Sequence, residues 1–296
     1  MGPVLITGAE GFVGTHLRAQ LGDDAVAAAV DVLDGEALAA TVRAVTPQAV
    51  VHLAAQSSVA ASWEDAAAAW SVNVVGTVNV LEAVRAEAPG ARVLFASTGE
   101  VYGSAQELPT PESAPVEPLS PYAATKAAAE IACAQARRTG VDVVVARAFN
   151  SEGPGRDDRF AIGSWTRQVA RLEEKGGGVL EVGNLSAERD ITDVRDVCRA
   201  YTLLLDDAVG GDTYNVASGR SVPMSRVVDA LVALARCELV VEQRPERMRR
   251  AEIPRMAGDA TRLREATGWK PRIPLEQTLA DGLEAARDAV RAGTMA

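Results

Sequence analysis

Short hydrophobic runs alternate with longer alanine-rich stretches along the first half of the chain. The runs typical of buried strands lie at 3–7, 25–30, 49–53, 92–96 and 141–146. The stretches predicted to be helices lie at 12–21, 36–45, 66–86 and 121–138. Strands that alternate with helices favour a parallel sheet covered by helices on both faces. We therefore expect an α/β fold with a doubly wound parallel sheet.

The pattern changes after Asn150, where the glycines and the proline of 153–155 indicate a loop. Further on, 212–217 is predicted to be one more strand, and a last helix is predicted from Leu275 to about residue 291. We expect the main sheet domain to comprise residues 1–150 and about 190–217. A smaller C-terminal α/β domain is expected to comprise about 151–189 and 218–296.

A glycine-rich turn follows the first predicted strand directly. Gly8, Gly11 and Gly14 form a G-x-x-G-x-x-G pattern, and the next predicted helix begins at Phe12. Glycine allows a tight turn and a close approach of the backbone to a pyrophosphate, whose charge then lies at the helix N-terminus. A glycine turn that binds nothing is less favoured, because this pattern lies between a strand and a helix. The main domain is therefore predicted to be a Rossmann-type dinucleotide-binding domain.

An acidic residue about 20 positions further on usually binds the adenosine ribose in such a fold. Asp23, Asp24 and Asp31 are candidates, and each is also typical of a solvated turn. No residue in this region distinguishes NAD from NADP. NADPH and NADH both remain candidate cofactors.

Tyr122 and Lys126 form a Y-x-x-x-K pair on one predicted helix. Their spacing of four positions places both side chains on one face. The pKa of tyrosine is about 10, and a neighbouring lysine is expected to lower that pKa by stabilising the phenolate. Tyr122 is then expected to exchange a proton with a carbonyl or carbinol oxygen. The helix has clear end signals, since Ser120 can cap it, Pro121 suits its first position and Gly140 lies just past its end.

Ser97, Thr98 and Glu100 follow the strand predicted at 92–96. Ligands of open α/β sheets bind beyond the carboxyl ends of the strands. Thr98, or less favourably Ser97, is expected to hydrogen-bond the same substrate oxygen as Tyr122, and Glu100 is expected to reach an adjacent carbon. Each of these residues alone is also typical of a turn or a surface. It is the order of glycine turn, strand-end hydroxyl and Y-x-x-x-K pair that favours a dehydrogenase or reductase.

The composition narrows the classes of function. A formal net charge of −10 over 296 residues argues against a nucleic-acid binder, because phosphate binding needs an excess of Lys and Arg. Three widely spaced cysteines (Cys133, Cys198 and Cys237) and two histidines (His16 and His52) argue against a disulfide framework or a metal site. No signal peptide and no apolar run of the ~20 residues needed for a membrane span is recognised. We therefore expect a cytoplasmic enzyme that binds no membrane.

Four segments give the chain a specific resemblance to known proteins over essentially its whole length: G-F-V-G at 11–14, H-L-A-A-Q-S-S-V at 52–59, T-G-E-V-Y-G at 98–103 and P-Y-A-A-T-K at 121–126. In these segments it resembles the extended short-chain dehydrogenase/reductase family. Within that family it most resembles the GDP-4-keto-6-deoxy-D-mannose reductases, through segments at 182–185, 189–196, 214–219, 245–252 and 267–271. The related GDP-mannose 4,6-dehydratases share much of this pattern but are usually longer.

The resemblance implies roles for individual residues. The implied catalytic residues are Thr98, Tyr122 and Lys126, with Glu100 as a further candidate. The residues implied in cofactor binding are Gly8, Gly11, Phe12, Val13, Gly14, Asp31, Val32, Leu53, Ala54, Ala55, Gln56, Tyr122 and Lys126. Those implied in binding the nucleotide sugar are Asn150, Val182, Arg189, Arg249 and Glu252. The two arginines would bind the diphosphate, because the planar guanidinium meets phosphate oxygens in pairs.

The resemblance also implies a reaction, the NAD(P)H-dependent reduction of GDP-4-keto-6-deoxy-D-mannose at C4 to GDP-D-rhamnose. A 4,6-dehydratase or epimerase remains the alternative, because Ser151 and Glu152 replace the His-Ile pair typical of the reductases and Glu100 would be the base of a dehydratase. A nucleotide-binding protein without catalytic activity is a third interpretation. The alanine-rich helices at 66–86 and 121–138 favour a homodimer, because small side chains allow close packing across a two-fold axis.

Overall fold

The computed structural model describes residues 2–248 and 253–293. Its strands, numbered in chain order, are β1 (Val4–Thr7), β2 (Ala25–Ala28), β3 (Ala49–His52), β4 (Arg92–Thr98), β5 (Val143–Ala148), β6 (Asn150–Glu152), β7 (Gly178–Val182), β8 (Glu188–Asp193), β9 (Thr213–Val216), β10 (Ser221–Pro223) and β11 (Leu239–Gln243). Its α-helices are α1 (Phe12–Leu21), α2 (Gly35–Val45), α3 (Val59–Glu64), α4 (Ala66–Trp70), α5 (Gly76–Glu87), α6 (Pro121–Arg138), α7 (Ala161–Glu174), α8 (Val194–Leu204), α9 (Met224–Leu234), α10 (Thr261–Thr267) and α11 (Leu275–Arg291). A π-helical turn, Ser71–Val75, joins α4 to α5.

Six strands form one sheet in the order β2-β1-β3-β4-β5-β9, and every neighbouring pair is parallel. The strand order reverses at β1, with β2 on one side and β3 on the other, so the sheet is doubly wound. This confirms the predicted fold class. The strand predicted at 212–217 is β9, which pairs with β5 at the edge of this sheet. Strand β4 extends to Thr98, so Thr98 ends the strand instead of following it.

Helices cover the sheet on both faces, which is why its strands are apolar along their whole length. On one face, α1 and α8 bury Leu17 and Leu204 against the sheet. On the other face, α2, α5 and α6 bury Leu38, Val84 and Ala129. The removal of this apolar surface from water stabilises the layered arrangement. Because all six strands are parallel, their carboxyl ends lie at one edge of the sheet, where a ligand site can form.

The remaining segments form two smaller sheets. One has the order β10-β8-β6 and the other pairs β11 with β7. With α7, α9 and α11 they enclose a separate apolar cluster that includes Trp165, Leu180, Leu231 and Leu283. The sequence pattern did not predict α3, α7 to α10 or the strands of these sheets, because strands of three to six residues with charged members give a weak periodic signal. The last helix, α11, was predicted with its bounds.

The stretch Ala66–Glu87 is the one stretch of helix in the described ranges whose length and composition would allow it to cross a membrane. Its mean hydropathy is 1.3 over the best window, 44% of which is buried. The sequence analysis did not recognise this run as long enough. Helices that cover a sheet meet the same criterion, and this one packs against α2 and α6. Length and composition alone are therefore weak support for a membrane span.

Candidate active site

A cleft of about 970 Å³ opens at the carboxyl edge of the six-stranded sheet. Its floor is formed by the residues that end or follow the strands, among them Gly8, Ala54 and Thr98. Its opposite wall comes from the smaller sheets and includes Asn184 and Arg189. This is the position at which open α/β sheets bind their ligands. The volume lies at the upper end of the ~300–1,000 Å³ usual for ligand sites.

The glycine turn at 8–14 leaves no room for side chains at two of its three glycines. Gly8 has a φ of +70°, and a Cβ there would come within 2.7 Å of the backbone N of Ala54. A Cβ at Gly14 would come within 2.7 Å of the carbonyl of Ala9. Gly11 differs, since it has an ordinary φ of −75° and a Cβ there would meet only the Gly8 carbonyl oxygen, at 3.2 Å. Contacts within the fold therefore explain why glycine is needed at positions 8 and 14. At position 11 the need for glycine would come from a bound ligand.

The N-terminus of α1 has the features of an anion site. Gly11 precedes the helix and no side chain caps it, so the first N–H groups point toward the cleft without an intrahelical acceptor. A pyrophosphate would accept from these groups and would be stabilised by the helix dipole. The residues present thus fit the dinucleotide that the sequence predicts.

Most of the residues predicted to bind the cofactor line this cleft. Those that line it are Gly8, Gly11, Phe12, Val13, Gly14, Leu53, Ala54, Ala55, Tyr122 and Lys126. Asp31, Val32 and Gln56 are not part of its lining. The Asp31 carboxylate accepts from the backbone N of Leu33 at 2.9 Å, and Val32 is buried against α5. Gln56 is held behind the cleft by Asn73.

Helix α6 places Tyr122 and Lys126 on the cleft as the end signals in the sequence predict. The Ser120 hydroxyl accepts from the backbone N of Ala123 at 3.1 Å, and Pro121 opens the helix. A second hydroxyl, that of Ser62 on α3, accepts from the backbone N of Tyr122 at 3.1 Å. The start of α6 is therefore fixed from two elements.

The surroundings of Tyr122 favour its protonated form. Burial raises the pKa of Tyr122 above its ordinary value, the Glu100 carboxylate raises it further, and a hydrogen bond with the Thr98 hydroxyl lowers it in part. The sequence analysis expected Lys126 to lower this pKa, but the net shift is upward and Lys126 is not among the groups that move it. Desolvation by burial outweighs the groups that lower the pKa, Thr98 and Arg156, so Tyr122 holds its proton at neutral pH.

Lys126 lies deeper than a surface helix would place it. Its side chain is 3% exposed, and its Nζ lies 4.3 Å from the ring centroid of Phe95. Burial lowers the pKa of Lys126 to about 8. The ring face offsets part of the lost hydration by a cation–π contact. Lys126 is therefore a cation near neutral pH that becomes neutral in mildly alkaline solution.

The predicted sugar-binding residues are divided by the structure. Asn150 and Arg189 line the cleft. Val182 does not, since it is fully buried in the apolar cluster of the smaller sheets. The wall at this point is formed instead by Gly183 and Asn184. The other two predicted residues, Arg249 and Glu252, lie outside the described ranges.

Arg189 is anchored before any ligand binds. Its Nη1 donates to the carbonyl oxygens of Ile253 at 2.7 Å and Glu188 at 2.9 Å. The side chain is 5% exposed, so the guanidinium is held by backbone groups at the edge of the cleft. Two backbone carbonyls thus fix the position of one guanidinium nitrogen at the edge of the cleft.

Three residues that the sequence analysis did not single out line the site or hold its elements in place: Ser62, Asn73 and Arg156. The Arg156 guanidinium lies between the rings of Phe12 and Phe160, at 4.7 Å and 3.5 Å from their centroids, and lines the cleft. Asn73 lies in the π-helical turn, which the helical period of an alanine-rich stretch conceals. For Ser62 the sequence carries no signal, because its bond to α6 spans 60 positions.

Comparisons with known proteins agree with this geometry. The chain matches the family model described as GDP-mannose 4,6 dehydratase over residues 18–282. It is 40% identical to a GDP-6-deoxy-D-mannose reductase of Pseudomonas aeruginosa, over 93% of this chain and 94% of the relative. A GDP-mannose 4,6-dehydratase of Sinorhizobium fredii is 31% identical over 81% of this chain and 74% of that protein.

Similarity of structure points the same way. The solved structure of RMD from Pseudomonas aeruginosa complexed with NADPH superposes with a TM-score of 0.88 at 37% identity. The match covers 97% of this chain and 99% of the other. From its sequence, its fold and the lining of its cleft, the chain belongs to the GDP-mannose 4,6-dehydratase family of extended short-chain dehydrogenases/reductases.

Proposed function

We propose that the protein is an NAD(P)H-dependent oxidoreductase that reduces the C4 ketone of a nucleotide-linked 4-keto-6-deoxy sugar. The proposed substrate is GDP-4-keto-6-deoxy-D-mannose and the product is GDP-D-rhamnose. NADPH is the first cofactor to test, because the similar solved structure was determined with NADPH. NADH is the second.

One observation carries this proposal: a single cleft is lined by the glycine turn, by Tyr122 with Thr98 and Lys126, and by Arg189. The first group fits a dinucleotide pyrophosphate, the second fits proton transfer to a carbonyl oxygen, and the third fits the diphosphate of the sugar nucleotide. The 40% identical reductase supports the choice of reaction.

The residues of the cleft suit reduction more than oxidation. The nicotinamide ring, when bound, supplies the hydride for the sugar carbon. Tyr122 holds a proton that the developing alkoxide can take, because its raised pKa keeps the phenol protonated. The Thr98 hydroxyl orients the same oxygen, and the Lys126 ammonium stabilises the negative charge that Tyr122 acquires. Burial of the Thr98 and Lys126 side chains lowers the local dielectric and strengthens these interactions.

The proposal is tested by incubating the purified protein with GDP-4-keto-6-deoxy-D-mannose and reduced cofactor. Loss of nicotinamide absorbance is followed with NADPH and with NADH in parallel, and GDP-mannose alone serves as the comparison. Oxidation of one cofactor equivalent per keto sugar supports the reductase. A keto product from GDP-mannose alone, without net cofactor oxidation, refutes it and identifies a dehydratase.

Glu100 favours the dehydratase as the second candidate. Its carboxylate lines the cleft close enough to Tyr122 to raise the pKa of that phenol, and a base near the keto sugar is what a dehydratase needs. Glu100→Gln separates the two: a reductase is expected to keep most of its turnover, whereas a dehydratase would lose it.

We also propose a cytoplasmic homodimer. Large exposed apolar side chains lie along the α4–α5 stretch and α6, namely Trp70, Val75, Val78 and Ile131. These two elements are neighbours, and together they offer a self-complementary apolar surface for a two-fold interface. Light scattering of the wild type and of Ile131→Glu measures whether the protein is a dimer.

We also propose a division into a dinucleotide-binding domain (1–150 and about 190–217) and a substrate-binding domain (about 151–189 and 218–296).

A further inference from the structure

His52 is buried behind the cleft and does not line it. The residue ends β3, is 1% exposed, and lies between two threonines. Its Nδ1 is 2.7 Å from the Thr7 hydroxyl of β1, and its Nε2 is 3.1 Å from the Thr77 hydroxyl of α5. Burial is the main reason that the pKa of His52 falls to about 3, and the nearby Lys126 cation lowers it further. The imidazole is therefore neutral at physiological pH.

The hydrogen bonds of the two threonines fix which nitrogen carries the proton. Thr77 donates its single hydroxyl proton to the carbonyl oxygen of Asn73, at 2.6 Å. Thr77 can therefore only accept from His52, so the Nε2 of His52 is protonated. Nδ1 then accepts from the Thr7 hydroxyl, whose oxygen accepts from the backbone N of Ala54 at 3.3 Å. In this series of hydrogen bonds, each group can therefore act in only one way, as donor or as acceptor.

One end of this hydrogen-bond network lies beside the glycine turn at 8–14. Thr7 immediately precedes Gly8, the first glycine of the turn, and Ala54 lines the same cleft. A Cβ at Gly8 would approach Ala54 to 2.7 Å, so the two strand ends already touch. The Thr7 hydroxyl, held by His52, therefore fixes the contact that shapes the glycine turn.

The other end reaches the helix that carries Tyr122. In the π-helical turn, the Asn73 side chain accepts from the backbone N of Gln56 at 2.8 Å and donates to the Thr125 hydroxyl at 2.8 Å. The Thr125 hydroxyl in turn donates a hydrogen bond to the carbonyl oxygen of Tyr122 at 2.7 Å. The path from β1 to α6 thus consists of hydrogen bonds between buried or partly buried groups, joined through the backbone and side chain of Asn73.

We propose that His52 is a positioning residue, which as an Nε2-protonated imidazole holds the glycine turn and the π-helical turn in the register that places Tyr122 against the cofactor. The inference rests on the proposed function for its catalytic consequence. A buried network in which every donor has one acceptor rigidifies its members, and a network with one member removed leaves the others unsatisfied. Two neutral threonine partners make any other tautomer costly here.

The tautomer can be tested without any catalysis. The chain has only two histidines, His16 and His52, so ¹⁵N-histidine labelling gives two imidazoles, and His16→Gln identifies the signals of His52. We expect a neutral ring with a pyrrole-type Nε2 and a pyridine-type Nδ1 at all pH values from about 5 to 8, because both nitrogens are buried and paired. A protonated Nδ1, or an imidazolium in this range, would overturn the proposal.

The positioning role is tested at Thr77, which contacts no ligand site. Thr77→Val removes the acceptor of His52 and is expected to lower kcat by roughly 10- to 100-fold, because a small displacement of a reacting group has this effect. NADPH affinity should change by less than about 3-fold, since the bond between His52 Nδ1 and Thr7, beside the glycine turn, remains in this variant. Thr77→Ser restores the hydroxyl and should restore kcat.

Thr41→Val is the matched control. Thr41 on α2 donates to the carbonyl oxygen four residues earlier, Ala37, at 2.8 Å, as Thr77 does to Asn73, but it contacts no imidazole. It should keep wild-type kcat with a smaller loss of thermal stability, because the Thr41 hydroxyl is only partly buried and no buried imidazole loses its acceptor. If Thr77→Val also keeps wild-type kcat while folded, His52 has only a structural role.

Hydrogen exchange separates this inference from the proposed function. Thr77→Val, and not Thr41→Val, should speed amide exchange in residues 120–126, whichever nucleotide sugar is the substrate. Unchanged exchange there refutes the coupling even if the enzyme is a reductase. Faster exchange in a protein that oxidises no NADPH refutes the proposed reaction and leaves the network standing.

Discussion

In the glycine turn the fold requires Gly14, whereas only a ligand would require Gly11, so alanine substitutions at these two positions should behave differently. At Gly14, an added Cβ would lie 2.7 Å from both the C and the O of Ala9. These are backbone atoms between a buried strand and α1, so they cannot rotate away as a side chain could. Gly14→Ala is expected to lower the free energy of unfolding by about 3 kcal/mol, the upper part of the range for overpacking.

At Gly11 the backbone accepts alanine. Its φ of −75° and ψ of 173° suit any residue, and the new Cβ would meet one atom at 3.2 Å. The expected loss is about 1 kcal/mol, because alanine is a poorer residue than glycine before a helix. The methyl group would, however, occupy the anion site, and the loss of one or two charge-assisted hydrogen bonds should weaken NADPH binding by about 10- to 100-fold.

Two measurements on the same variants separate these effects. The thermal unfolding temperature without ligand should fall by about 6 °C for Gly14→Ala and by about 2 °C for Gly11→Ala, at about 2 °C per kcal/mol for a chain of this size. NADPH affinity is then titrated by fluorescence. Gly90→Ala is the control, since a Cβ there meets nothing within 4 Å, and neither quantity should change. Gly11→Ala with wild-type NADPH affinity would refute the assignment of the turn to the pyrophosphate.

Three further predictions concern the residues around the cleft. Tyr122→Phe should lower turnover by about 10²- to 10⁴-fold with NADPH binding kept. Tyr102→Phe, which loses hydrogen bonds to Asn215 and Arg147 away from the cleft, should keep turnover, and steady-state rates of the two variants decide this. Because burial lowers the pKa of Lys126 from 10.5 to about 8, the unfolded chain binds a proton that the folded chain releases between these pH values, so this group makes stability rise with pH there. Urea unfolding should show that Lys126→Met lacks the rise. Glu130→Ala removes the carboxylate that lies 2.6 Å from the buried guanidinium of Arg147. In the same urea assay it should lower the free energy of unfolding by about 3–5 kcal/mol, and a decrease below about 1 kcal/mol would contradict this prediction.

The sequence was sufficient for the main sheet because its signals there are local. The runs at 3–7, 49–53 and 92–96 have the length and the apolar content of buried strands, and each corresponds to a strand. Helix α6 was predicted with both bounds, since Ser120 and Gly140 mark its ends chemically. That Tyr122 and Lys126 share a helix face followed from their spacing, because positions four apart lie on one side of a helix.

The sequence did not determine how each side chain is surrounded. Lys126 was expected to lower the pKa of Tyr122, yet burial and Glu100 raise it, because desolvation depends on every element packed around a group. Val182 was expected in the sugar site and is buried instead, since which face of a short strand meets the cleft depends on the sheet beside it.

The chemistry of this protein was thus visible in the order of its motifs, which local periodicity and helix-end residues encode. The arrangement of that chemistry was decided by tertiary contacts between distant positions. Ser62 meets Tyr122 across 60 positions, and His52 meets Thr7 across 45. Such hydrogen bonds depend on which strands become neighbours, so they arise only when the sheet has formed and buried the groups that must then find partners.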